Sequence, residues 1–181
     1  MKFTFFMNEN VKIFLTGFMG SGKTAYGKPL SELLNTVFFD LDDYIEKKYN
    51  SRITKIFTEE GENVFRKYEY EALHEITINN RNFVLATGGG TPCYNNNIEY
   101  MNVHGTSVYL KCTVDELYEN ILLSNSERPL LQGKQGDELR KHIRQLLSIR
   151  EPIYEQSKII LTGEYHDPQK IFEIITKKLL I

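Results

Sequence analysis

Gly17-Phe18-Met19-Gly20-Ser21-Gly22-Lys23-Thr24 fits G-x-x-x-x-G-K-[ST] at every position. Glycines at these positions let backbone N–H groups turn inward around a phosphate. A helix starting at the end of the loop adds partial positive charge. Lys23 is placed to reach the β- and γ-phosphates of a nucleotide, and the Thr24 hydroxyl to bind Mg²⁺. A chance glycine turn is the alternative. The β-rich Val11–Thr16 before the loop and the helix-prone stretch behind it argue against that.

Two carboxylates two residues apart, Asp40 and Asp42, close the next strand-like run, Val37–Asp40. In an extended chain residues i and i+2 point the same way. Both carboxylates are therefore expected at the C-terminal edge of the sheet, where open α/β folds bind ligands. This strand is expected beside the first one. A second reading has Asp42 or Asp43 capping the helix that follows. The third strand ends in Gly88-Gly89-Gly90 and not in an acid, so Asp40 is the best-placed carboxylate on the Mg²⁺ side.

Arg66, Arg128 and Arg150 stand in separate segments. Arginine suits bidentate binding of a carboxylate or phosphate. The plainer reading of Arg66 is an ion pair with Glu62 or Glu69 along one helix face. His74, His104, His142 and His166 show no metal-ligand spacing, and Cys93 and Cys112 read as reduced thiols in a reducing cytosol.

Short β-rich runs alternate with helical sequence, which predicts a parallel sheet covered on both faces. The runs are 11–16, 37–40, 83–86, 107–110 and 158–161. Helices are expected from Gly22 to about Leu34, over 42–49, and as two pieces between Ile53 and Ile78 broken near Gly61. More helical sequence separates the last three strands, and a closing helix follows Pro168. Pro29 falls in the second turn of the first helix, where a proline costs ~3 kcal/mol if unrelieved, so a kink or irregular turn is expected. Residues 124–136 are polar with two glycines and are expected to form a mobile loop. Residues 1–10 read as a short leader, not a signal peptide.

The whole chain, 181 residues, suits one domain. Its 22 basic and 24 acidic residues leave a net charge of −2 with no basic block, which argues against a nucleic-acid surface. No apolar run reaches transmembrane length, so no membrane partner is expected.

Six features in order resemble the shikimate kinase family from Val11 to about Pro168. They are Gly20–Thr24, Phe39-Asp40-Leu41-Asp42, Phe65-Arg66 with Glu69, Gly88-Gly89-Gly90, Arg128-Pro129-Leu130-Leu131, and Arg150 with Pro152 and Tyr154. The resemblance implies a P-loop kinase fold: a five-stranded parallel sheet, helices on both faces and a mobile lid over about 124–136. It implies γ-phosphoryl transfer from ATP to the 3-hydroxyl of shikimate, on the pathway to chorismate and aromatic amino acids. Gly20, Ser21, Gly22, Lys23, Thr24, Ala25 and Arg128 would bind ATP, and Thr24 and Asp40 would hold Mg²⁺. Asp42 would bind the acceptor hydroxyls and act as base. Arg66 and Arg150 would take the acceptor carboxylate, with Gly89 and Gly90 beside them and Gly88 near the γ-phosphate. Phe57 and Phe65 would wall the pocket, and Glu69 would orient Arg66. A cytoplasmic monomer is expected on the same ground.

Ile121 and the stretch 162–168 depart from the family, which often places adenine-side arginines there. Other readings are a gluconate or nucleoside monophosphate kinase, or a non-catalytic nucleotide-binding protein. Arg66, Arg150 and Asp42 together favour an acceptor with a carboxylate and hydroxyls.

Overall fold

Side chains of a strand alternate between the two faces of its sheet, and this alternation builds two cores here. Ile13 and Leu15 of β1 (Lys12–Thr16) join one core, while Phe14 joins the other with Phe83 and Leu85 of β3 (Phe83–Ala86). A computed structural model describes residues 10–124, 133–163 and 167–179. Most of the leader, Arg128 with residues 125–132, and residues 164–166 lie outside these described residues.

β2 (Val37–Asp40), β4 (Thr106–Lys111) and β5 (Ile159–Thr162) complete a five-stranded parallel sheet in the order β2-β3-β1-β4-β5. The second strand was expected beside the first, yet β3 lies between them. β3 is buried along its whole length and so takes a neighbour on each side, whereas the part-exposed β2 is suited to an edge.

Helices α2 (Leu41–Tyr49), α3 (Ile53–Glu59), α4 (Glu62–Asn79) and α5 (Asn97–His104) contribute to the core that holds Phe14. Helices α1 (Lys23–Leu33), α6 (Val114–Leu123), α7 (Gly136–Tyr154) and α8 (Pro168–Leu179) contribute to the core that holds Ile13 and Leu15. The break between α3 and α4 falls at Gly61, whose φ of 88° lies where a Cβ is disfavoured.

Two local expectations are corrected. α1 runs through Pro29 as one helix of 11 residues, so the irregular turn is absent, while the kink, the other form of that expectation, is compatible with an unbroken helix. A proline removes one bond of the ladder, and here α1 is braced against β2, β3 and α8. The cap of α2 is neither Asp42 nor Asp43. Asp40 caps it, accepting from the backbone N–H groups of Asp42 (3.1 Å) and Asp43 (3.5 Å). The helix therefore begins at Leu41, and the argument from extended geometry does not apply to Asp42.

Candidate active site

The C-terminal ends of β1, β2 and β3 open into a cleft of about 1020 Å³. Its wall includes Gly20, Gly22, Lys23, Thr24 and Ala25 from the β1–α1 loop and Asp40 and Asp42 from the β2–α2 junction. Arg66 comes from α4, Gly88, Gly89 and Gly90 follow β3, and Arg150 comes from α7. Phe57, Phe65 and Glu69 also line it. Ser21, within the loop, is buried and does not line the cleft.

The phosphate loop is held by its own backbone. Lys23 is buried, and its Nζ donates to the carbonyls of Gly17 (2.9 Å) and Phe18 (2.8 Å). The Ser21 N–H donates to the Phe18 carbonyl at 3.1 Å, closing the turn. Asn120 of α6 adds a brace from outside, with its Nδ2 donating to the Gly20 carbonyl at 2.9 Å.

Beside the loop, the Thr24 hydroxyl donates to Asp40 Oδ2 at 2.6 Å. A hydroxyl and a carboxylate at the end of a phosphate loop are hard oxygen donors of the type Mg²⁺ selects. No cluster of three or more His, Cys, Asp or Glu suited to a metal occurs among the described residues. A cation here would therefore complete its shell with water and phosphate oxygens, as Mg²⁺ does.

Asp42, in the first turn of α2, lies on the same wall and is itself solvent-exposed. Its side chain opens onto the cleft although protein surrounds the site. That enclosure, then the Glu69 and Asp40 carboxylates, push its carboxyl up to about 7, against the pull of Lys23 and Arg66. A group that titrates near neutrality and faces a ligand cleft is suited to proton transfer. A Cβ on Gly88 would lie 3.3 Å from Asp42 Oδ1, which fixes the two as neighbours.

Arg66 makes the ion pairs of one sequence reading and also lines the cleft that the other reading requires. It is 5% exposed and pairs with Glu62 and Glu69 along α4, and it still reaches the cleft. Glu62 and Glu69 hold the guanidinium charged and raise its pKa, although burial opposes this most strongly. A Cβ on Gly90 would collide with the Arg66 guanidinium, so the glycine is what admits the arginine. Arg150 is 4% exposed, and its Nη1 has no hydrogen-bond partner among the described residues. A buried guanidinium N–H without a partner costs about 1–3 kcal/mol or more, so this atom is suited to an anionic group in the cleft.

Arg52, at the N-cap of α3, and Glu46 line the same cleft and were missed from sequence, as was Asn120. Glu46 Oε1 accepts from the Ile53 N–H at 2.8 Å, doing the capping that the Arg52 side chain does not. The exchange of a cap between helices has no local sequence signal. Arg128 lies outside the described residues, and so do residues 164–166 of the adenine-side stretch.

A phosphate loop between β1 and α1, an oxygen pair at its end and an acid beside buried guanidiniums define a P-loop phosphotransferase. A sequence model of the shikimate kinase family matches residues 19–180. A shikimate kinase of Parabacteroides distasonis is 43% identical over 153 residues, covering 84% of this chain and 88% of its own. The chain belongs to the shikimate kinase family. The crystal structure of shikimate kinase from Bacteroides thetaiotaomicron is similar, with a TM-score of 0.86 and 40% identity over 94% of this chain and 99% of that one. Shikimate kinase from Acinetobacter baumannii in complex with shikimate gives a TM-score of 0.83 and 35% identity, over 94% of this chain and 93% of that one.

Proposed function

We propose that this protein transfers the γ-phosphoryl group of ATP to the 3-hydroxyl of shikimate, giving shikimate 3-phosphate and ADP on the chorismate pathway. The observation that carries the reading is the pair of buried guanidiniums, Arg66 and Arg150, in the same cleft as Lys23 and Asp42. Two such cations suit a carboxylate, and the adjacent acid suits hydroxyls. A bound shikimate in a relative at 35% identity supports the same acceptor.

Gly20, Gly22, Lys23, Thr24 and Ala25 hold the nucleotide phosphates, with Ser21 assigned by its place in the family pattern, and Thr24 and Asp40 would hold Mg²⁺. A Mg²⁺ ion held there would supply neutralisation of phosphate charge. Asp42 accepts the proton of the attacking hydroxyl. Arg66 and Arg150 fix the acceptor by its carboxylate, with Gly89 and Gly90 beside it. Lys23 stabilises the charge on the transferred group. Arg128 belongs to this set by its position in the family pattern.

Residues 1–181 form one catalytic unit with a lid over about 124–136. It works as a monomer in the cytoplasm. No helix among the described residues is long and apolar enough to cross a membrane.

A coupled assay of ATP consumption tests the reading. Consumption should require both shikimate and Mg²⁺, and gluconate or a nucleoside monophosphate should not replace shikimate. Turnover that ignores shikimate would overturn it.

A further inference from the structure

Among the described residues Arg66 spends three N–H groups on protein. Nε and Nη2 donate to Glu62 Oε1 at 3.1 and 2.6 Å, and Nη1 donates to Glu69 Oε2 at 2.5 Å. A guanidinium carries five N–H donors. One therefore remains on each terminal nitrogen, available to a carboxylate. These bonds hold the edges of the guanidinium and leave its face to other contacts.

The face is held by Tyr94. Its ring centroid lies 4.3 Å from Arg66 Cζ, against 5.3 Å for Phe65 and 5.9 Å for Phe57. Its hydroxyl donates to Glu62 Oε1 at 3.2 Å, the same oxygen that takes two Arg66 donors. Glu62 is partly exposed, with a side chain 40% accessible, so it gains a fixed position from that bond. Tyr94 itself is exposed and does not line the cleft. It reaches Arg66 because the 3-10 turn Thr91–Cys93 carries the chain back over α4. The same turn is tied to α4 at its start, where the Thr91 hydroxyl donates to Glu69 Oε1 at 2.5 Å.

We propose that Tyr94 is a positioning residue for the acceptor site: its ring holds the Arg66 guanidinium in plane, and so sets affinity for the acceptor carboxylate without touching the acceptor. The inference rests on the reading of Arg66 as a carboxylate binder. A ring over a largely desolvated guanidinium adds to its fixation, and releasing it lets the fork swing out of register.

Steady-state kinetics and calorimetry on the full chain test this. Tyr94→Leu should raise the KM for shikimate by about fivefold to twentyfold, with kcat and the KM for ATP within about twofold of parent. Tyr94→Phe keeps the ring and should recover most of the loss. In an Arg66→Ala background, Tyr94→Leu should have no further effect on shikimate affinity. Unchanged ATP binding reports that each variant is folded, and Tyr94→Gln carries the same expectation should the Leu variant not fold. A shikimate KM for Tyr94→Leu within about twofold of parent overturns the inference. So does a Phe variant as weak as the Leu variant, or a loss that persists undiminished without Arg66. If Arg66→Ala leaves shikimate affinity unchanged, it is the reading of Arg66 that fails.

Discussion

The two halves of the cleft are built in opposite ways. The phosphate half is built chiefly from one run, Gly17 to Thr24, whose buried lysine is held by carbonyls five and six residues away, with Asp40 and Asn120 added from outside it. The acceptor half is gathered from α2, α4, the turn after β3 and α7, and its contacts span long separations. Asn95 Nδ2 donates to the Arg66 carbonyl across 29 residues, and the Tyr154 hydroxyl donates to the Gly89 carbonyl across 65. A local loop can be preformed, because few residues must be ordered to close it. A site made of distant segments depends on the whole fold. The phosphate half satisfies Lys23 internally, whereas among the described residues the acceptor half leaves Arg150 Nη1 without a partner. That asymmetry fits a general nucleotide cradle beside a pocket specialised for one anion.

The largest effect is expected in the phosphate half. Lys23→Met removes a cation from a water-poor site and should lower kcat by about a thousandfold or more, with shikimate binding retained. Rates within tenfold of parent, in a variant shown to be folded, would mean that the loop does not stabilise the transferred group.

The acceptor half should respond in binding and not in nucleotide affinity. Arg66→Ala and Arg150→Ala each remove a charge-assisted contact of about 1.5–3 kcal/mol, or about 10- to 150-fold in shikimate affinity. Calorimetry should show ATP affinity nearly unchanged in both. If both variants bind ATP and shikimate with equal losses, the cleft is not divided as described.

Asp42 sits between the halves, and pH reads it. Its proton acceptor is the ionised form, so kcat/KM for shikimate should fall as pH drops below about 7. A flat profile between pH 8 and pH 5.5 would remove Asp42 from the reaction. The stability effect runs the other way. A carboxyl raised when folded keeps its proton over the window from 3.8 to about 7 while the unfolded chain releases it. Stability from this group is therefore present at low pH and lost as pH rises. Asp42→Asn should raise the melting temperature at pH 8 by about 1–2 °C, a small gain because the side chain opens to cleft solvent. A lower melting temperature would contradict the sign.

Arg66 shows how far the sequence could be read. Its spacing from Glu62 and Glu69 predicted ion pairs along a helix, and the order of motifs predicted a ligand contact. Neither clue said that one side chain could make the ion pairs and still line the cleft. Gly90 removes the Cβ that would block the guanidinium, and this close approach is invisible in a string of three glycines. Asp42 was placed in the cleft by a strand argument that fails at Leu41, where α2 begins. It reaches the cleft from the first turn of that helix.

The phosphate loop was written in the sequence because its geometry depends on eight consecutive residues and the strand and helix that flank them. Local backbone freedom and a helix terminus suffice to specify it. The five strands were legible for a similar reason, since short β-rich runs and apolar faces are local properties. The order of those strands was not, because burial of β3 from both sides is decided by packing across the sheet. Nor was the setting of the acceptor arginines. Tyr94 follows a 3-10 turn that carries no periodic signal, and its partner lies on a helix 28 residues earlier. Long-range contacts of that kind form only when separate elements dock, so the precision of the acceptor site belongs to the folded molecule.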